Sequence, residues 1–206
     1  MAAARLHLNA SIEISKEQRE IIRNVITSGG VLVFPTDTIY GLGCDAFNEK
    51  PVRKIYELKG RSFDMPFSVH LGTIDEIGLY AKLNGRQHAI IKKLLPGPYT
   101  LLLACTKDAP APCVGSEGKI GIRVPKSKIF SQIYQVANQP LAGTSANLSG
   151  ETFLTEVDSI IGSFGDIIDL IVTTDEPMSN QSSTVVDLTE NPPKTLRGQL
   201  PDLQLL

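Results

Sequence analysis

Apolar and polar positions along the chain follow two periods, 3.6 and 2, and the switches between them mark the elements. Ser15-Lys16-Glu17-Gln18 has the form of a capping box, and Ile21, Ile22, Val25 and Ile26 then recur as one helical stripe until Gly29-Gly30 stops it. Val31-Leu32-Val33-Phe34 is a continuous apolar run of strand length, the pattern of a strand buried on both faces, and Pro35 ends it. The loop Thr36-Asp37-Thr38 leads to Tyr40-Gly41-Leu42-Gly43. A helix is predicted from about Lys50 to Lys59, with Val52, Ile55, Tyr56 and Leu58 inward. Phe67 to Leu71 alternates with period two, so Phe67, Val69 and Leu71 share one face and His70 takes the other.

Short helices are expected near Ile74–Leu83 and Arg86–Leu95, and Pro96-Gly97-Pro98 breaks the chain before a strand at Tyr99–Cys105. Ile120 to Val124 alternates again and sets Arg123 opposite Ile122 and Val124. Lys126 to Asn138 reads as helix, and Pro140-Leu141-Ala142 runs into Gly143-Thr144-Ser145-Ala146-Asn147-Leu148-Ser149-Gly150. A helix around Val157–Phe164 then precedes strands at Asp169–Thr173, Thr184–Leu188 and Thr195–Leu196. With no repeat or long linker, the economical reading is one α/β domain.

Composition narrows the class without naming a task. The 206 residues carry 20 Lys+Arg against 22 Asp+Glu, so the net charge of −2 argues against tight nonspecific binding to nucleic acid. No apolar run approaches a membrane span or a signal peptide, and Cys44, Cys105 and Cys113 form no C-x-x-C pair, which together suggest a cytoplasmic protein. The scattered His7, His70 and His88 give no zinc-ligand spacing, and no metal site is expected within the chain.

Candidate chemistry lies where strands end in small polar residues: Pro35 to Thr38, Thr144 to Asn147, and Gln181 to Ser183. Ligands of open α/β sheets sit at strand ends, and hydroxyls and amides orient them without adding charge; the same residue types also populate ordinary turns. Lys59-Gly60-Arg61 past a helix suits an anion, since an Arg fork and a mobile ammonium both grip phosphate, but it also suits plain helix capping. His70 and Arg123 each face away from the aliphatic residues of their strands. On a solvated face they are surface charges; on a concave one they form a carboxylate-binding pair. Arg197, followed by Gly198, is a third cation of the same ambiguity. Walker A, dinucleotide and nucleophile-elbow patterns are all missing, so any nucleotide site here is non-standard.

Taken in order, Pro35-Thr36-Asp37-Thr38-Ile39-Tyr40-Gly41-Leu42-Gly43-Cys44-Asp45, Lys59-Gly60-Arg61, Pro96-Gly97-Pro98-Tyr99-Thr100, Arg123-Val124-Pro125, Thr144 to Gly150 and Ser183-Thr184-Val185-Val186-Asp187 resemble the motifs of the YrdC-like threonylcarbamoyl-adenylate synthases. The resemblance runs from about residue 12 to residue 198. It implies an N-terminal extension over 1–11, a YrdC-like catalytic domain over 12–198 and a C-terminal tail over 199–206, the short single-domain form. It also implies a twisted mixed sheet with flanking helices and a large concave cavity (a YrdC/RibB-like fold).

The activity implied is formation of L-threonylcarbamoyladenylate and pyrophosphate from L-threonine, bicarbonate and ATP, with magnesium accompanying ATP. The product would pass to the proteins that transfer threonylcarbamoyl to tRNA. By the same resemblance, the K-x-R and S-x-N signatures are Lys59, Arg61, Ser145 and Asn147, the catalytic set. Thr38, His70, Arg123, Ser145 and Ser183 match positions holding threonine. Lys59, Arg61, Lys119, Asn147 and Arg197 match positions facing ATP. Ser62-Phe63-Asp64-Met65-Pro66 departs from the family's proline-led stretch, with Met65 where Asn is common, and Leu95 replaces a frequent aromatic. Two other readings remain: weak RNA binding through a basic concavity, and the carbamoyl transfer of hydrogenase-maturation relatives, whose zinc-finger and acylphosphatase segments are missing here.

Overall fold

The computed structural model describes residues 3–148, 150, 154, 156–165 and 167–199. Ser149 of the small-residue loop and positions 200–206 of the expected tail lie outside the described residues, as do positions 1 and 2. The chain is a single α/β domain built on one ten-stranded mixed sheet. Its strands are β1 (Ala4–His7), β2 (Leu32–Phe34), β3 (Gly41–Asp45), β4 (Ser68–His70), β5 (Tyr99–Ala104), β6 (Lys119–Arg123), β7 (Leu141–Ser145), β8 (Leu170–Thr173), β9 (Thr184–Asp187) and β10 (Lys194–Arg197). They lie in the order β1-β8-β2-β3-β7-β4-β6-β5-β9-β10. The helices are α1 (Lys16–Thr27), α2 (Glu49–Lys59), α3 (Ile77–Tyr80), α4 (Gly85–Leu94), α5 (Lys128–Ala137) and α6 (Val157–Phe164).

The local signals that predict these elements act as read. Ser15 accepts from Gln18 N while the Gln18 side chain accepts from Ser15 N, so the capping box opens α1. Gly60 closes α2 in the left-handed region at φ 57°, with its N–H on Glu57 O and that of Arg61 on Tyr56 O. That cap turns the chain so that Lys59 and Arg61 leave the helix together.

Two strands depart from the sequence expectation. Ala4–His7, inside the segment read as an extension, pairs in parallel with β8 as the sheet edge. Gly41–Asp45, expected only as the continuation of a loop, runs antiparallel between β2 and β7. Its glycines have a packing cause: a Cβ at Gly41 would come within 2.7 Å of the Phe34 ring, and one at Gly43 within 2.2 Å of Ala142 O.

The alternation of each strand divides the core between the two faces. On one face Val33, Leu42, Val69, Leu101, Ile122, Ala142, Ile171 and Val186 pack under α2, α3, α4 and α6. On the other, Leu32, Phe34, Leu141, Leu170 and Val172 pack under Ile22 and Ile26 of α1 and Ile129, Phe130 and Ile133 of α5. Farther along this second face, the positions in register with that apolar set are Gly41, Ser68, His70, Thr100, Gly121, Arg123, Gly143, Ser145 and Ser183. There the face is a cavity.

Candidate functional site

The cavity is about 170 Å³ and is lined by residues from β3, β4, β5, β6, β7, β9 and β10. Its space exists because of glycine: at Gly143, a Cβ would fall 2.4 Å from the His70 imidazole. His70, Arg61, Arg123, Ser145, Ser183 and Arg197, singled out by sequence, all line it. The ambiguity over His70 and Arg123 resolves towards the concave alternative, since they are 4% and 6% exposed.

His70 is wedged between Phe34 and Phe130, with ring centroids 5.6 and 5.8 Å away. Burial, and then the Arg123 charge, push its pKa down to about 3, so the imidazole is neutral at physiological pH. Its Nδ1 has no hydrogen-bond partner among the described residues. Arg123 donates from Nη2 to Asp37 Oδ1 (2.6 Å), Thr38 Oγ1 (2.7 Å) and Thr36 Oγ1 (3.2 Å). Burial lowers the pKa of its guanidinium while Asp37 opposes the shift. Thr38 thus reaches the site through Arg123 without lining the cavity. A second hydroxyl pair, Thr100 and Ser183, is joined at 2.9 Å.

Arg61 donates from Nε to Met65 O at 2.8 Å and lies 5.5 Å from the Phe67 ring centroid. Met65 therefore serves through its backbone, and its side chain is exposed. Arg197 donates to Ser183 O and Ser183 Oγ, both at 3.1 Å. It is an exposed residue overall, yet lost hydration around the guanidinium, then Arg123 and Arg61, lower its pKa. Arg61 and Arg197 bring their charge into the cavity beside the Asp37-paired Arg123, and no carboxylate lines the cavity among the described residues. Such a field is tuned for an anion.

Lys59 is placed differently from the expectation that it faces phosphate. It is buried, its Nζ donates to Ser145 O at 2.7 Å and to Asn147 O, and it sits 5.9 Å from the Phe164 ring centroid. Burial and then Arg61 push its pKa down to about 8. The K-x-R and S-x-N motifs are thus one unit, in which Ser145 Oγ donates to Asn147 Oδ1 and Asn147 Nδ2 to Leu148 O. Lys119 shares the cavity face of β6 but does not line the cavity. Its Nζ is held by Glu117 at 2.8 Å and Asp187 at 3.1 Å, contacts that raise its pKa. The strand end Pro35 to Thr38, singled out by sequence, does supply the lining residue Thr36; the sequence reading missed Asp37 as a partner of Arg123 and Thr100 as a lining residue. A polar residue amid the apolar run of β5 was the available signal for Thr100. Cys44 and Cys113 are buried and burial pushes both thiols up, the latter to about 12, so packing is their role.

The Sua5/YciO/YrdC family model, described as "Telomere recombination", matches residues 24–198. The chain belongs to that family. Among relatives of the Sua5/YciO/YrdC family, it is 33% identical over 196 residues to the threonylcarbamoyl-AMP synthase of Pyrococcus abyssi, covering 94% of this chain and 58% of the relative. It is also 33% identical over 198 residues to a putative threonylcarbamoyl-AMP synthase of Methanocaldococcus jannaschii, covering 94% of this chain and 93% of that one. The crystal structure of Pyrococcus abyssi Sua5 complexed with L-threonine superposes with a TM-score of 0.88 at 31% identity, over 98% of this chain and 60% of that chain. The present chain therefore spans a little under two thirds of the Pyrococcus protein and nearly all of the Methanocaldococcus one.

Proposed function

We propose that this protein is a threonylcarbamoyl-AMP synthase, joining L-threonine, bicarbonate and ATP into L-threonylcarbamoyladenylate with release of pyrophosphate. The observation that carries the reading is the cavity itself. Arg123, a neutral His70 and the hydroxyls of Ser145 and Ser183 stand beside two arginines that have no carboxylate partner among the described residues, in a chain that superposes on a Sua5 solved with L-threonine.

In this proposal the threonine carboxylate meets Arg123, which Thr38 holds in place, and the hydroxyls of Ser145 and Ser183 orient its amine and side chain. The neutral amine is the nucleophile, forming the carbamate from carbon dioxide with loss of a proton or from bicarbonate with loss of water; the carbamate oxygen then attacks the α-phosphate in line as pyrophosphate leaves. Arg61 and Arg197 would stabilise charge on the phosphates, each charge-assisted contact contributing about 1.5–3 kcal/mol. Lys59 would fix the Ser145–Asn147 loop on which both substrates converge, and Lys119 would meet the nucleotide only on releasing Glu117 or Asp187. Positioning and charge do most of the catalytic work. Among the described residues no group of three His, Cys, Asp or Glu could hold a metal. Magnesium would accompany ATP and offset charge on its phosphates beside Arg61 and Arg197.

The product would feed a separate transfer to tRNA. We place the reaction in the cytoplasm, which suits three free cysteines; no helix among the described residues is long and apolar enough to cross a membrane. The test is pyrophosphate release by the pure protein given threonine, bicarbonate, ATP and magnesium. Release should require both threonine and bicarbonate. None from folded protein would sink the assignment.

A further inference from the structure

Asp37 has no task in the reaction just described and does not line the cavity, yet it makes the only ion pair with a cavity arginine among the described residues. The pair is largely shielded from solvent, with side chains 7% (Arg123) and 13% (Asp37) exposed. It is also incomplete. Arg123 Nε and Asp37 Oδ2 are both buried without a hydrogen-bond partner, so the second bond of a guanidinium–carboxylate fork is not made. A buried bridge kept for stability alone gains most from that second bond, and a half-satisfied one stabilises less than apolar packing of equal volume. The arrangement is better explained by charge. Among the described residues Arg61 and Arg197 meet only neutral acceptors, whereas Arg123 is neutralised by Asp37 and its other neighbour, His70, is uncharged.

We propose that Asp37 is a specificity-determining residue: by making the Arg123 site neutral overall, it lets a zwitterionic amino acid in and keeps phosphate out. This rests on the reading of Arg123 as the amino-acid site. A zwitterion brings its own ammonium, so its carboxylate can meet Arg123 without leaving net charge buried. A phosphate dianion at the same place would bury about two uncompensated charges, a heavy desolvation penalty. The triphosphate is thereby confined to Arg61 and Arg197, where no carboxylate opposes it. Without Asp37, both parts of the cavity would be cationic and ATP could occupy the threonine position.

The test is calorimetric titration of wild type and Asp37→Asn with inorganic phosphate, with and without saturating L-threonine. Wild type should bind phosphate in a way that threonine does not disturb. Asp37→Asn should gain a second phosphate site, at least roughly tenfold tighter than any threonine-sensitive binding in wild type, and threonine should displace it. Asp37→Glu, which keeps the charge, should not gain it. If Asp37→Asn does not fold, Asp37→Ser removes the same charge and carries the same expectation. A folded, uncharged variant whose phosphate stoichiometry and affinity match wild type would overturn the proposal. Failure of wild type to bind threonine would instead remove the functional reading, and the phosphate count would still decide the charge argument.

Discussion

One face of the sheet carries two opposite solutions side by side. Under α1 and α5, Leu32, Phe34, Leu141, Leu170 and Val172 are closed off by aliphatic and aromatic side chains. A few strands along, the same register positions are glycine, hydroxyl, imidazole and guanidinium, and apart from Phe130 of α5 against the His70 ring they line the cavity. Phe34, Phe130 and His70 meet at the border, their ring centroids 5.4 to 5.8 Å apart. In the covered half each fully buried aliphatic stabilises the fold by about 1.5–3 kcal/mol. The open half contributes little of that kind and leaves buried polar atoms unpaired, at Asp37, His70 and Arg123. Backbone pairing is continuous across both halves; side-chain choice at alternate positions decides whether a helix or a ligand is received.

A substitution in each half should separate the two roles most widely. Ile22→Ala removes a fully buried side chain of the covered half, and the expected loss is about 2–5 kcal/mol of unfolding free energy by urea denaturation. Threonine affinity of the folded variant should be unchanged. Arg61→Ala should do the reverse: stability within about 0.5 kcal/mol of wild type, ATP use weakened by about 10- to 100-fold, and threonine binding retained. If Ile22→Ala weakened threonine binding as much as it weakened the fold, the two halves would be one coupled unit and the division would be wrong.

How much of this was legible before folding depends on whether the deciding partner is near in sequence. The capping box of α1, the glycine cap of α2 and the alternation at Phe67–Leu71 are local, and each predicts the element observed. Strand β1 is only four residues long, too short for its alternation to stand out, and pairing with Leu170–Thr173 makes it a strand. Strand β3 carries two glycines, poor strand formers, and only the distant Phe34 ring and Ala142 carbonyl explain them. Alternation put Arg123 and His70 on the polar side of their strands. It could not say whether that side met water, which depends on how strands from the whole chain surround it. Lys59 shows the same limit: the helix end was readable, but its contact with Ser145 O spans 86 residues.

A smaller effect tests whether the glycines hold the open half open. The Cβ of Gly143→Ala would press on an imidazole already confined by Phe34 and Phe130, so the ring cannot swing away. The expected cost is about 1–3 kcal/mol of stability, with weakened threonine binding. At Gly121, the nearest atom to an added Cβ is Leu102 Cδ2 at 3.2 Å, the end of a flexible side chain. Gly121→Ala should cost clearly less. Equal costs would mean that both sites relax freely and that glycine is not what shapes the cavity.

A pH-dependent effect concerns the border, and its sign follows from linkage. The folded state holds His70 near a pKa of 3, against 6.5 for the free side chain. Between those values the unfolded chain binds a proton that the folded chain does not, so stability falls as pH drops below 6.5, and the loss is complete near pH 3. His70→Asn removes this proton uptake. Its stability profile between pH 6 and 4 should be shallower than that of wild type by up to about 1.4 kcal/mol per pH unit, and the two should run parallel above pH 7. Urea denaturation at a series of pH values reads both slopes. Identical slopes would mean that the imidazole takes up its proton in the folded state. Water would then reach between Phe34 and Phe130, and the border between the dry and the ligand-receiving halves would have to be drawn farther into the covered core.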